Sequence, residues 1–168
     1  VADRVWEREW LKDFHSMRFG RRLWIVPTHE RPPADPDSVC VSLDPGLAFG
    51  TGTHPSTALC LTWLDSRLPP DAEVIDYGCG SGVLAIAALR LWPQTTAVAI
   101  DTDPEAIEVT LENAERNGVS SRMLCETTPL SRLRSEFPLV LANLTGPTLI
   151  ELAEQLVART AVGGVLIL

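Results

Sequence analysis

The residues of this chain that can do chemistry gather around three turns. The densest is Asp76-Tyr77-Gly78-Cys79-Gly80-Ser81-Gly82, with a second carboxylate, Asp101, closing the next apolar run. Alternate glycines let a backbone turn tightly and approach a ligand closely. An acidic side chain at the tip of the following strand accepts hydrogen bonds from two ribose hydroxyls. Together they specify a nucleoside. A dinucleotide-binding loop wants its third small residue one place later, where Val83 would crowd a pyrophosphate against the helix N-terminus, so NAD is disfavoured. Cys79 lies inside the loop, but the sequence places no base beside it, so a nucleophilic role is not expected.

The second turn is Gly46-Leu47-Ala48-Phe49-Gly50-Thr51-Gly52-Thr53-His54-Pro55, a flexible flap leading into a helix that carries Thr57 in its first turn. It lacks the lysine of a phosphate-binding loop, so nucleotide hydrolysis is not supported. Thr53 or His54 can cap that helix with Pro55 at its first position, and the Thr57 hydroxyl can turn to a ligand or to the backbone. The third turn is Asn143-Leu144-Thr145-Gly146-Pro147. It follows an apolar strand and therefore lies at the carboxyl edge, where open parallel sheets bind ligands. An Asn carbonyl there can accept a hydrogen bond from an amine and aim its lone pair, or it can simply satisfy a turn. Asn143 is thus the candidate catalytic residue.

The elements that position these turns follow from periodicity. Val5, Trp6, Trp10, Phe14 and Met17 predict an amphipathic helix within residues 1–19, closed by Gly20. A short strand is expected at Leu23 to Val26, a proline-rich loop from Thr28 to Ser38, and a second apolar alternation at Val39, Val41 and Leu43. Val74-Ile75 is a strand, Val83 to Leu91 a buried helix, and Ala97 to Ile100 a strand. A further helix opens at Asp103-Pro104 and stops at Asn117-Gly118. Leu139 to Ala142 gives another strand, and Pro147 to Arg159 a helix with Leu149, Leu152, Ala153 and Leu156 on one face. Gly163-Gly164 is expected to turn into a last strand from Val165. The alternation predicts an α/β fold with a doubly wound, mostly parallel sheet.

A chain of 168 residues fits one domain. No apolar run reaches the ~20 residues that a membrane span needs. Four cysteines without a Cys-x-x-Cys pair give no zinc signature and suit a reducing cytoplasm. The net charge of −8 argues against direct nucleic-acid binding and suits a basic protein partner through electrostatic steering.

Leu43 to Pro55, Asp76 to Gly82, Asn113-Ala114-Glu115-Arg116-Asn117-Gly118 and Asn143 to Pro147 together resemble the PrmA family, methyltransferases that modify a protein of the large ribosomal subunit. The resemblance covers nearly the whole chain. It implies a Rossmann-like class I methyltransferase sheet and S-adenosyl-L-methionine as cofactor, contacted by Thr57, Gly78, Gly80, Asp101 and Asn143. It further implies methyl transfer to α-amino and lysine ε-amino nitrogens of a ribosomal protein.

The organisation it suggests is a linker helix and lead-in segment over residues 1–38, then an adenosylmethionine-binding domain over residues 39–168. The chain is expected to be a monomeric fragment whose sheet stops before its last strands. Members of the family carry a separate substrate-binding domain ahead of residues 1–19, and Trp92-Pro93-Gln94 stands where they more often have a glycine turn. The competing readings are a non-catalytic adenosylmethionine-binding module, a small-molecule or nucleic-acid N-methyltransferase, and an NAD-dependent oxidoreductase.

Overall fold

The structure, a computed structural model, describes residues 14–43, 54–67, 72–133 and 135–168. Met17–Phe19 (β1) and Leu23–Val26 (β2) form an antiparallel hairpin turning at Gly20, and Val39–Ser42 (β3) joins β2 in parallel. Pro55–Arg67 is the first described helix (α1). Five parallel strands form the larger sheet: Glu73–Tyr77 (β4), Thr96–Ile100 (β5), Met123–Glu126 (β6), Phe137–Leu141 (β7) and Thr160–Ile167 (β8). Their order is β6-β5-β4-β7-β8, so the winding reverses beside β4. Val83–Leu91 (α2), Pro104–Arg116 (α3) and Gly146–Arg159 (α4) are the crossovers.

Each element follows from its residues. In α2 every residue except Arg90 is buried, and its alanines let it lie close to both sheets. Along α1, Thr57, Cys60, Leu61, Leu64 and Asp65 are buried at the three-and-four spacing of one helical face. Asp103 caps α3 by accepting the Glu105 N–H at 2.9 Å, with Pro104 in the first turn, and Gly118 at φ 66° ends it. One hydrophobic cluster runs from Phe14, Leu23, Ile25 and Val41 through α1 and α2 to Val74, Ala97 and Leu141. The boundary expected between residues 38 and 39 therefore falls inside the small sheet, whose strands pack into the common core.

Three expectations change. The helix expected over residues 1–19 begins outside the described residues, and its end is strand: Met17 to Phe19 pair with Ile25 to Leu23. Strand pairing and the burial of Phe19 outweigh the helical spacing there. The strand β6 lacks a sequence signal because it is short, sits at the sheet edge and leaves Leu124 exposed. The expected Gly163-Gly164 turn does not precede the last strand but lies inside it. Phe137 pairs with Thr160 and Leu139 with Val165, so the glycines absorb a register shift. A Cβ on Gly164 would meet the Pro138 carbonyl oxygen at 2.9 Å. On α4, Leu156 is buried and Leu149 and Leu152 pack partly, but Ala153 faces outward.

Candidate functional site

Strand register brings the three turns to one edge. Asp76 pairs with Leu141 and Tyr77 with Ile100. One residue on, Gly78 is level with Asp101. Two residues past the Asp76–Leu141 pair stand Gly78 and Asn143. All lie at the carboxyl ends of β4, β5 and β7, where the winding reverses and open parallel sheets form their crevice.

The glycine loop is fastened through its backbone. Gly78, Gly80 and Gly82 have φ of 75°, 54° and 76°, a region other residues enter only at a cost. The Gly78 and Cys79 N–H groups donate to the Ile100 carbonyl at 2.7 and 3.0 Å. The Thr110 hydroxyl donates to the Gly80 carbonyl at 2.9 Å, and Asn113 Nδ2 to the Ser81 carbonyl at 2.9 Å. Contact decides two of the glycines. A Cβ on Gly82 would lie 2.8 Å from Thr110 Cγ2, and one on Gly78 would lie 2.2 Å from Leu144 Cδ2. Leu144 thus folds over the loop, joining the turn after β7 to the turn after β4.

The two carboxylates of the motif have separate tasks. Asp76 is buried, and its Oδ2 accepts the Ala85 N–H at 3.0 Å. This satisfies a donor in the first turn of α2, which Gly82 cannot cap with a side chain. Burial pushes the Asp76 carboxyl up to about 7, against the pull of the Ala85 N–H, and the charge of Asp101 adds to the rise. Asp101 is half-buried at the strand tip. Its Oδ2 accepts the Gly80 N–H and its Oδ1 the Asp103 N–H, both at 3.0 Å. Each oxygen keeps a further lone pair, and the two N–H bonds fix the plane of the carboxylate.

Asn143 belongs to a cluster that sequence reading found only in part. Its Nδ2 donates to Thr57 Oγ1 at 2.8 Å, and its Oδ1 accepts the Ser56 hydroxyl at 2.7 Å. The Ser56 hydroxyl also meets His54 Nδ1 at 2.7 Å. Thr57, 2% exposed, presents its hydroxyl oxygen to Asn143. Ser56 carried no sequence signal beyond its place between Pro55 and Thr57. The flap over residues 46–53, Thr53 included, lies outside the described residues. Burial raises the Cys79 thiol far above its ordinary range, with Asp76 adding to the effect, which favours the thiol over the thiolate.

Among the described residues no cluster fits a metal ion, and no helix is long and apolar enough to cross a membrane. A cleft of about 280 Å³ lined by Val26, Glu30, Cys40, Arg90, Arg116 and Asn117 shares none of the site residues.

The sequence model of the family described as "Ribosomal protein L11 methyltransferase (PrmA)" matches residues 1–168. The chain belongs to this family. It is 53% identical to the ribosomal protein L11 methyltransferase of Photorhabdus laumondii over 169 residues, which cover 99% of this chain and 55% of that protein. It therefore spans about half the length of the curated relatives it matches. Among solved PrmA relatives, the ribosomal protein L11 methylase of Lactobacillus delbrueckii subsp. bulgaricus superposes with a TM-score of 0.81 at 33% identity, over 91% of this chain and 78% of that one. The fold extends further. A methyltransferase from Geobacter sulfurreducens, solved with S-adenosyl-L-homocysteine, gives a TM-score of 0.55 at 24% identity, over 64% of this chain and 46% of that one.

The PrmA site's donor set suits a sulfonium nucleoside. A carboxylate held by two backbone N–H groups stands beside the glycine loop, with an amide on the turn after β7 and a buried hydroxyl in the first turn of α1. Among the described residues no lysine or arginine lies in the loop after β4 or the turn after β7.

Proposed function

We propose that this chain is the cofactor-binding part of an S-adenosyl-L-methionine-dependent protein N-methyltransferase. Its substrates are α-amino and lysine ε-amino groups of a large-subunit ribosomal protein. The observation that carries this reading is the alignment of Gly78, Asp101 and Asn143 at one sheet edge, with Asp101 already bonded to the Gly80 N–H. In this reading Asp101 accepts the ribose hydroxyls, and Gly78 and Gly80 let the loop backbone approach. Thr57 and Asn143 stand at the reacting end. The compartment is the cytoplasm, in keeping with four unpaired cysteines. The acidic balance suits a basic ribosomal partner.

The cofactor supplies an electrophilic methyl group on a positively charged sulfur. The chain's own contribution is alignment and exclusion of water. Asn143 Oδ1 accepts an N–H of the incoming amine, which fixes the direction of the nitrogen lone pair. Leu144 closes over Gly78 and keeps that side of the crevice dry. A lysine ammonium must first lose its proton, and His54, exposed beside Ser56, is the titratable group nearest in the hydrogen-bond chain.

Methylation of a nucleic-acid base normally needs an aromatic after the Asn turn to stack on a flipped base. Leu144-Thr145-Gly146 supplies none, and Leu144 is packed on the loop. Calorimetry with S-adenosylmethionine, S-adenosylhomocysteine and NAD, followed by labelled-methyl transfer to ribosomal proteins, tests the proposal. Binding of the first two and label on a ribosomal protein is the expected result. Preferential NAD binding overturns it, and cofactor binding without any transfer reduces the chain to a binding module.

A further inference from the structure

The hydrogen bonds around Asn143 can be followed proton by proton. The Ser56 hydroxyl has one hydrogen and donates it to Asn143 Oδ1 at 2.7 Å. Toward His54 Nδ1, 2.7 Å away, it has only lone pairs left, so Nδ1 must carry the hydrogen of that bond. A bare Nδ1 would reverse the chain. It would claim the Ser56 hydrogen along with the Ser56 backbone N–H at 3.3 Å. Ser56 Oγ would then face Asn143 as an acceptor, and the carboxamide would turn its Nδ2 toward it. The Thr57 hydroxyl receives the Asn143 N–H in the present arrangement, and a hydroxyl can equally donate to a carbonyl in the reversed one. The end of Asn143 that presents an acceptor is therefore decided by Ser56, and behind it by His54.

We infer that Ser56, backed by His54, is a positioning residue that holds the Asn143 carboxamide with its oxygen toward Ser56, leaving the second lone pair of that oxygen for an amine N–H. Helix capping does not account for the arrangement. With its hydrogen directed to Ser56 Oγ, His54 Nδ1 has no lone pair left to cap the Ser56 N–H 3.3 Å away, and the bond from Ser56 to Asn143 spans 87 positions of sequence and satisfies no helix donor. The inference rests on the amine-methyltransferase reading for its functional consequence, though the carboxamide orientation can be observed without it.

The test pairs spectroscopy with kinetics on the full chain. Side-chain amide resonances of Asn143 are followed in ¹⁵N-labelled protein through their cross-peaks to the Thr57 methyl. S-adenosylmethionine affinity, kcat and KM for a ribosomal-protein substrate are measured in parallel. Ser56→Ala is expected to weaken the Thr57 cross-peaks and lower kcat about tenfold, with cofactor affinity and KM nearly unchanged, as mis-set geometry does. Ser56→Thr, which keeps the hydroxyl, restores both. His54→Ala removes an exposed side chain, does not threaten the core, and produces the same split to a smaller degree. Cross-peaks unchanged in Ser56→Ala and His54→Ala overturn the inference. So does a parallel loss of kcat and cofactor affinity that Ser56→Thr fails to repair. If the cross-peaks shift as expected while the wild-type chain methylates no amine, the carboxamide orientation stands and the functional reading fails.

Discussion

The two halves of the carboxyl edge are fastened in different ways. Around the loop after β4, buried side chains reach for backbone: Asp76 for the Ala85 N–H, Thr110 for the Gly80 carbonyl, Asn113 for the Ser81 carbonyl. Around the turn after β7, side chains reach for other side chains: Ser56 and Thr57 for Asn143, His54 for Ser56. A frame built on backbone fixes where a ligand lies and cannot change without moving the chain. A network of hydroxyls and an amide can lose one hydrogen bond and leave the chain in place. Affinity should therefore follow the first region and reaction rate the second.

The comparison breaks most visibly at Gly82. Gly82→Ala combines a left-handed φ with a Cβ driven into the β-branched Thr110, which is fully buried. Strain and overpacking together should cost roughly 2–5 kcal/mol. Denaturant unfolding measures the loss, and a change under about 0.5 kcal/mol, the size of an ordinary surface substitution, would remove the frame argument. Asn143→Ala comes next. The single-turnover rate should fall about 100-fold or more while S-adenosylmethionine affinity falls about tenfold at most. Equal losses in both would make Asn143 a binding residue only.

Asp101→Ala should do the opposite. Affinity should fall about 10–100-fold, the worth of hydrogen bonds to a charged acceptor, with the rate at saturation little changed. Calorimetry beside saturating kinetics separates the two. The smallest effect near pH 5 is that of Asp76→Asn. Its carboxyl is held at about 7 in the fold against an ordinary 3.8. Between those values the unfolded chain releases a proton that the fold keeps, so the group's contribution to stability declines as pH rises across that window. Melting temperatures across this range should show a shallower decline for Asp76→Asn than for wild type. Parallel profiles would mean that Asp76 is ionised in the fold throughout.

Much of this frame was legible from spacing. Glycines at alternate positions, an acid at the next strand tip and Asp103-Pro104 at a helix start are local signals, and each keeps its meaning after folding. The sheet edges were less legible. Strand β6 has no buried face strong enough to write a pattern, and β8 hides its irregularity in two glycines that also read as a turn. The partnership of Ser56 with Asn143 had no sequence signature at all. Hydroxyl residues near a helix start usually cap it, and only the folded register of β7 against β4 brings residue 143 within reach.

Helix α1 carries side-chain bonds to two separate places. Near its end, Asp65 accepts the backbone N–H groups of Arg21 and Arg22 at 2.5 and 3.2 Å, gripping the hairpin of the small sheet. Near its start stand Ser56 and Thr57. Thirteen helical residues make a rod about 20 Å long, stiff along its axis because one face is packed throughout. The hairpin and the two hydroxyls that bond Asn143 are thus held at opposite ends of one packed helix.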